Sequence, residues 1–362
     1  MLRYPDRVTT ATPATTGTPS AGTAVTRFLH VANGDCTTAM IQEAGLPGAL
    51  SVWADALHDG PVPGGLSDDE LVPIRAKFIA DGLPAEMASR DGAPVDVAAD
   101  LARWRAVIRG TSAYDELVLW YEHDLFDQLN LIQLLALIGE ETQGQAQAET
   151  QARAIAAGKR VSLICIGSFP GREDFKGLGE LTPAELAPLF DTRQPVTAAQ
   201  YALATRAWDA FRASDPRALE ALVRGEDLSA LPFLAAALRR HLEEFPWTTD
   251  GLGRTERRVM QLAEAGPITF AEAFPRVHEG ETAFYIADLS LLEMIERLAA
   301  ASPPLMASGK ALTLTDTGRA VLAGGIDRVS HCGIDRWLGG VHLSGRCATW
   351  RWNPERQRIV LA

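Results

Sequence analysis

The chain has 362 residues, 47% hydrophobic and 22% charged, an ordinary globular balance with length enough for a sizeable core. Lys and Arg total 34 against 46 Asp and Glu, a formal net charge of -12. That acidity excludes a broad, non-specific nucleic-acid coat, which needs basic surface to replace phosphate counterions. No apolar run reaches transmembrane length, so no membrane association is expected. Cys36, Cys165, Cys332 and Cys347 show no zinc-ribbon or zinc-finger spacing. A reducing, cytoplasmic setting is expected, with Cys36 and Cys165 as small buried thiols.

Residues 1–25, rich in Thr, Ala, Pro and Gly, predict a disordered tail with no signal-peptide apolar block. An α/β region is expected over 26–180. Phe28–Ala32 reads as a buried strand, Thr37–Ala44 as a helix ended by Gly45, and Leu50–Trp53 as a second strand. Residues 67–109 read as mostly helical, opened by the capping-box pair Ser67 and Glu70. Glu116–Tyr121 is a third strand and Leu125–Ile138 a strongly apolar helix. An exposed helical extension over 140–159 precedes a fourth strand, Val161–Ile166. Strands alternating with helices imply right-handed crossovers and a Rossmann-like parallel sheet.

A helical segment is expected over 181–250, with Thr182 as cap and Pro183 in the first turn. Its helices are read at Thr197–Ser214, Pro216–Arg224 and Leu231–Phe245. Over 251–362 the pattern is winged-helix-like. Helices at Thr255–Ala265, Thr269–Pro275 and Thr282–Ala301 precede a short strand, Ala311–Leu314. Asp335–Leu343 and Trp350–Trp352 read as a hairpin-like ending. Between residues 253 and 325, 7 basic residues face 9 acidic ones, and the third helix carries Asp288, Glu293 and Glu296. Phosphate would repel such a reading helix, so strong nucleic-acid binding is not expected, and a structural or protein-docking role is favoured. Homo-oligomerisation stays open.

Polar residues recur just after the strand-like runs. In one parallel sheet the following loops share the carboxyl edge, where open α/β sheets bind ligands. Asn33-Gly34-Asp35 is either a phosphate-binding turn or a helix cap. Asp55 and His58 are either an acid/base or metal-ligating pair, or part of the turn that Asp59-Gly60-Pro61 announces. Glu122, His123, Asp124 and Asp127 form the densest polar cluster. Asp124 and Asp127 suit helix capping, but capping leaves Glu122 and His123 unexplained. Ser168 with Gly167, Gly171 and Arg172 makes either a small anion site or a solvated loop. Asp35, Asp55, His58, Glu122 and Ser168 are expected around one cleft.

Three stretches resemble a bacterial family catalogued as domain of unknown function 1835. They are Leu29-His30-Val31-Ala32-Asn33-Gly34-Asp35, Trp53-Ala54-Asp55-Ala56-Leu57-His58-Asp59-Gly60-Pro61, and Trp120-Tyr121-Glu122-His123-Asp124-Leu125-Phe126-Asp127-Gln128-Leu129. The resemblance covers the first half of the chain and implies one domain there, but no activity. The expected function is binding of a phosphate ester or nucleotide at the carboxyl edge, with hydrolysis or group transfer at phosphate. His123 or His58 would act as acid/base. Glu122, Asp55 and Asp35 would orient substrate or hold a divalent cation, and Asn33, Gly34, Asp127, Ser168 and Arg172 would bind ligand. The alternative is a ligand-sensing regulator whose C-terminal region binds a protein partner or DNA.

Overall fold

A computed structural model describes residues 26–84, 87–90, 93–110, 113–143, 160–347 and 349–362. The tail expected over 1–25 and most of the extension expected over 140–159 lie outside these described residues. The architecture is mixed α/β. Strands β1 (Phe28–Ala32), β2 (Ala49–Val52), β5 (Glu116–Glu122), β6 (Arg160–Ile166) and β7 (Gln194–Pro195) form one sheet in the order β2-β1-β5-β6-β7. The first four run parallel, as the alternating pattern predicts. The fifth, two residues long, pairs antiparallel with β6 and comes from the segment read as helical. Too short to show a period, it left no trace in the pattern. A small hairpin of β3 (Ser89–Arg90) and β4 (Ala93–Pro94) separates two helices within 67–109.

Side chains alternate across the sheet and both faces are covered, as a parallel sheet requires. Leu29, Val31, Leu117, Leu119 and Tyr121 enter the larger core. Ala32, Val118 and Trp120 enter a smaller core with Ile41, Phe175 and Leu178. His30 is buried there without strain on its polarity. Trp120 Nε1 donates to His30 Nδ1 at 3.1 Å, which leaves Nε2 as the protonated nitrogen facing the Pro47 carbonyl oxygen at 3.1 Å. Burial pushes this imidazole down to about 4, so it stays neutral.

Helix α1 (Asp35–Glu43) starts two residues earlier than expected and buries Thr37 and Ile41. This four-residue stripe turns Cys36 outward, so Cys36 is exposed and not the buried thiol expected. Helix α2 (Asp68–Asp81) opens on the expected Ser67–Glu70 capping box, and α3 (Val97–Arg109) on an Asp96 cap. Helix α4 (Leu125–Gln143) is mostly apolar and buried nearly all round, its polar Asp127, Gln128, Asn130 and Gln133 included, because it lies between the sheet and the helices Ala198–Arg212 and Leu234–Leu242.

The helices Arg254–Glu264, Phe270–Val277 and Asp288–Ala300 come next. An Ile268–Leu312 bridge and the pair β8 (Met306–Ala307) and β9 (Thr313–Leu314) accompany them. The third of these helices starts six residues later than its apolar spacing suggests. Residues 282–287 are irregular because they are held to the sheet edge, where Leu125 N donates to the Ala283 carbonyl oxygen at 2.7 Å. Two hairpins close the chain, β10 (Ile334–Leu338) with β11 (Val341–Gly345) and β12 (Trp350–Asn353) with β13 (Arg358–Leu361). Among the described residues no helix is long and apolar enough to cross a membrane.

Candidate functional site

The strand order reverses between β1 and β5. Their carboxyl ends therefore flank the switch point at which open sheets take ligands. Two structures are built there, a buried carboxyl node and an open cleft. The β1–α1 turn, Asn33-Gly34-Asp35, divides them.

The node uses the polar cluster after β5. Asp124 Oδ1 accepts from Asp127 N at 2.9 Å, capping α4, and Asp127 Oδ1 accepts from Glu122 N at 2.9 Å. Asn33 Nδ2 donates to Asp127 Oδ2 at 3.0 Å, while Asn33 Oδ1 accepts from Thr37 Oγ1 at 2.8 Å. The Glu122 carboxyl accepts from Leu178 N and lies so close to Gly177 that a Cβ there would collide with it. Tyr285 N reaches Asp124 Oδ2 at 3.4 Å. All three carboxyls are buried. Burial raises each pKa: Glu122, beside Asp124, is pushed up to about 8, Asp124 to about 6, and Asp127, beside both, well above the usual range. The pair Glu122 and Asp127 therefore retains a proton at neutral pH. The node's oxygens already serve backbone amides and Asn33. Among the described residues no group of three or more His, Cys, Asp or Glu side chains is arranged to hold a metal ion.

His123 leaves the node for an aromatic setting. Its half-buried ring stands 5.8 Å from Tyr285, 6.0 Å from Phe233 and 6.5 Å from Phe175. Nδ1 is buried with no hydrogen-bond partner. Burial lowers the pKa and the Ile166 backbone works against it, so the ring is neutral at pH 7. His58 is more deeply enclosed, 4.9 Å from Phe284 and 6.2 Å from Phe126, with neither ring nitrogen hydrogen-bonded. Burial pushes it down to about 4. It borders a void of about 10 Å³, the room of one water, with Glu244 and Arg336 on the far side.

Of the two readings of Asp55 and His58, the hydrogen-bonded pair is not formed. Arg75, fully buried on α2, takes Asp55 in two-pronged fashion at 2.7 and 3.0 Å, and donates to the Asp59 and Ala56 carbonyl oxygens at 2.8 and 3.1 Å. Four contacts from one guanidinium fix the whole loop after β2. Arg172 is likewise engaged, donating to Glu185 at 2.8 Å, and Ser168 is exposed. Hydrogen bonds from Thr182, with help from Arg172, pull the Glu185 carboxyl down to about 2. The shared cleft expected of Asp35, Asp55, His58, Glu122 and Ser168 is thus not formed. These residues share an edge, but only Asp35 of the five lines the main cavity.

That cavity, of about 680 Å³, is the cleft. Gly34 and Asp35, the loop residues Ala54, Ala56 and Asp59, and Phe126 at the start of α4 form its sheet side. The far wall is the helix Asp288–Ala300, through Leu289, Leu292, Glu293 and Glu296. Arg297 ties the two walls, donating to Asp59 at 2.8 Å and to Glu293 at 3.1 Å. Burial would raise the Asp59 carboxyl, but Arg297 and Arg336 outweigh it and the pKa falls below the usual range. Arg75, Asp59, Glu293 and Arg297 are the site residues the sequence reading missed. Asp59 stood beside the singled-out His58, whereas nothing in the spacing joins it to Arg297, 238 positions away. No family model matches the chain, and no curated protein matches it.

Proposed function

We propose that this is a small-molecule-binding protein that holds its ligand in the cleft between the sheet's carboxyl edge and the helix Asp288–Ala300. The observation that carries this reading is the cavity itself, about 680 Å³ at the strand-order reversal. Sites for drug-sized ligands fall in that range of volume and in that place on open sheets. The test is a thermal-shift screen of nucleotides, sugar phosphates and apolar small molecules, with and without Mg²⁺. The cleft is then filled by Leu292→Trp at an exposed rim position. Hits should lose their shift in the filled variant. Hits that keep it bind elsewhere and overturn the reading.

A phosphate ester or nucleotide, hydrolysed or transferred there, is the enzymatic form of this proposal. The described lining includes Asp35 and Asp59 but no basic side chain, so a phosphate would have to enter with a divalent cation. Release of inorganic phosphate that depends on Mg²⁺ and is lost in Asp35→Asn would support it. His123 does not line this cavity, so it is not the base in this form of the proposal.

One observation favours the regulator reading as well. Three helices followed by the β8–β9 pair suit a winged-helix-like region, and its third helix is the far wall of the cleft. A ligand in the cleft would press on the element that such a region uses for recognition. The acidic face of that helix favours a protein partner over DNA. The proposed kinship of the first half with domain of unknown function 1835 rests on the wording of its three loops and adds no activity.

A further inference from the structure

The cleft carries charge of one sign. Its described ionisable lining consists of Asp35, Asp59, Asp81, Glu293 and Glu296, without a lysine, arginine or histidine. Its floor is apolar and includes the rings of Phe78, Trp104 and Phe126. Among the described residues Arg297, Arg336 and Lys77 act on these acids without lining the cavity. Arg297 is shared between Asp59 and Glu293. Lys77 meets Asp81 at 2.7 Å, but both side chains are mostly in water, where such a pair contributes little. Burial raises the Glu293 carboxyl, with Asp59 and Glu296 adding to this and Arg297 and Arg336 opposing it. The described lining itself keeps five carboxyls and no basic side chain.

We propose that the cleft takes an organic cation, a small molecule with an apolar or aromatic body and a protonated amine. The body lies against Phe78, Trp104 and Phe126, and the ammonium meets Glu293 and Glu296 at the helix wall. An ammonium in a partly desolvated site gains both from the carboxylates and from the ring faces. A free anion meets only like charge there. This inference deepens the ligand-binding reading and rests on it.

The experiment uses matched triads on naphthalene, indole and biphenyl bodies, each as an ethylamine, an ethyl alcohol and an acetate. Titration calorimetry on the full chain reads the affinities. The amine of a triad should bind at least tenfold tighter than its alcohol, and the acetate should bind weakest. Added NaCl should shrink the preference. The Glu293→Gln/Glu296→Gln variant, checked for native circular dichroism, should bring amine and alcohol to equal affinity and leave the alcohol unchanged. Alcohols that bind as tightly as amines, and lose binding in Leu292→Trp, overturn the charge inference while the cleft reading stands. Silence from all triads, or a preference for acetates, overturns the cation class outright.

Discussion

The buried node around Asp127 and the open cleft around Glu293 lie on opposite sides of the β1–α1 turn, and both are rich in carboxylates. In the node every described carboxyl accepts hydrogen bonds from backbone amides or Asn33, and water is excluded. In the cleft five described carboxylates line an open cavity, and Asp59 and Glu293 share Arg297. The same residue type thus fastens the fold where it is buried among backbone amides, and in the cleft it also faces an open cavity. The densest polar motif of the sequence belongs to the first kind.

Four measurements can break or sharpen this contrast. The largest effect is expected from Arg75→Ala, which leaves Asp55 buried without its partner beneath the cleft. Breaking a buried pair costs about 3–5 kcal/mol, and urea unfolding should show that loss. A cost under about 1 kcal/mol, the worth of an exposed pair, would mean that Asp55 is free to serve a ligand after all. Next is Asp127→Ala, which strands the Glu122 amide and the Asn33 side chain. A buried amide and a part-buried side-chain donor without acceptors cost roughly 2–6 kcal/mol together. Native stability in this variant would return the node to the list of candidate chemical sites.

The third measurement is the pH dependence of unfolding between pH 7 and 8.5. The folded pKa of Glu122 is raised from 4.5 to about 8. Its contribution is therefore fully present below about 4.5 and is lost as pH rises through 8, so stability should fall along this limb. Glu122→Gln should flatten the slope. His58 and His241, held at about 4 and 3 by burial, act with the opposite sign. Their contribution is present above 6.5 and lost as pH falls through 4, so they leave the alkaline limb alone. A slope unchanged by Glu122→Gln would sink the assignment of a protonated node. The smallest effect is expected from Glu293→Gln, within about 0.5 kcal/mol of the native stability because the side chain is partly in water. A larger loss would make the cleft wall a part of the fold's own support.

The elements that carry a period or a cap were legible in the sequence. The four parallel strands, the Ser67–Glu70 box, the Thr182–Pro183 helix start and the Asp124 cap all follow from local rules, and all stand within a residue of where those rules put them. The two-residue β7 has no period to read. The helix expected from Thr282 starts at Asp288 because contacts with the sheet edge outweigh an apolar spacing that suits a longer helix. The edge that bears the candidate cleft was legible too, since it follows from strand direction alone. Which polar residues would be spent on the fold was not. Arg75 lies 20 positions from Asp55 on another element, and side-chain pairing at that range leaves no mark in composition or spacing.

The bond between Asp59 and Arg297 joins positions 238 apart. One wall of the cleft is therefore made early in synthesis and the other late, so the cavity is among the last features that folding can complete. Until the helix Asp288–Ala300 docks, the sheet's edge stands open. A ligand that needs both walls binds only the finished molecule and draws the folding equilibrium toward it. At a hundred times its dissociation constant the gain is about 2.7 kcal/mol. A nick in the chain between the walls would show this first, as a protein that keeps its sheet while its melting temperature ceases to respond to ligand.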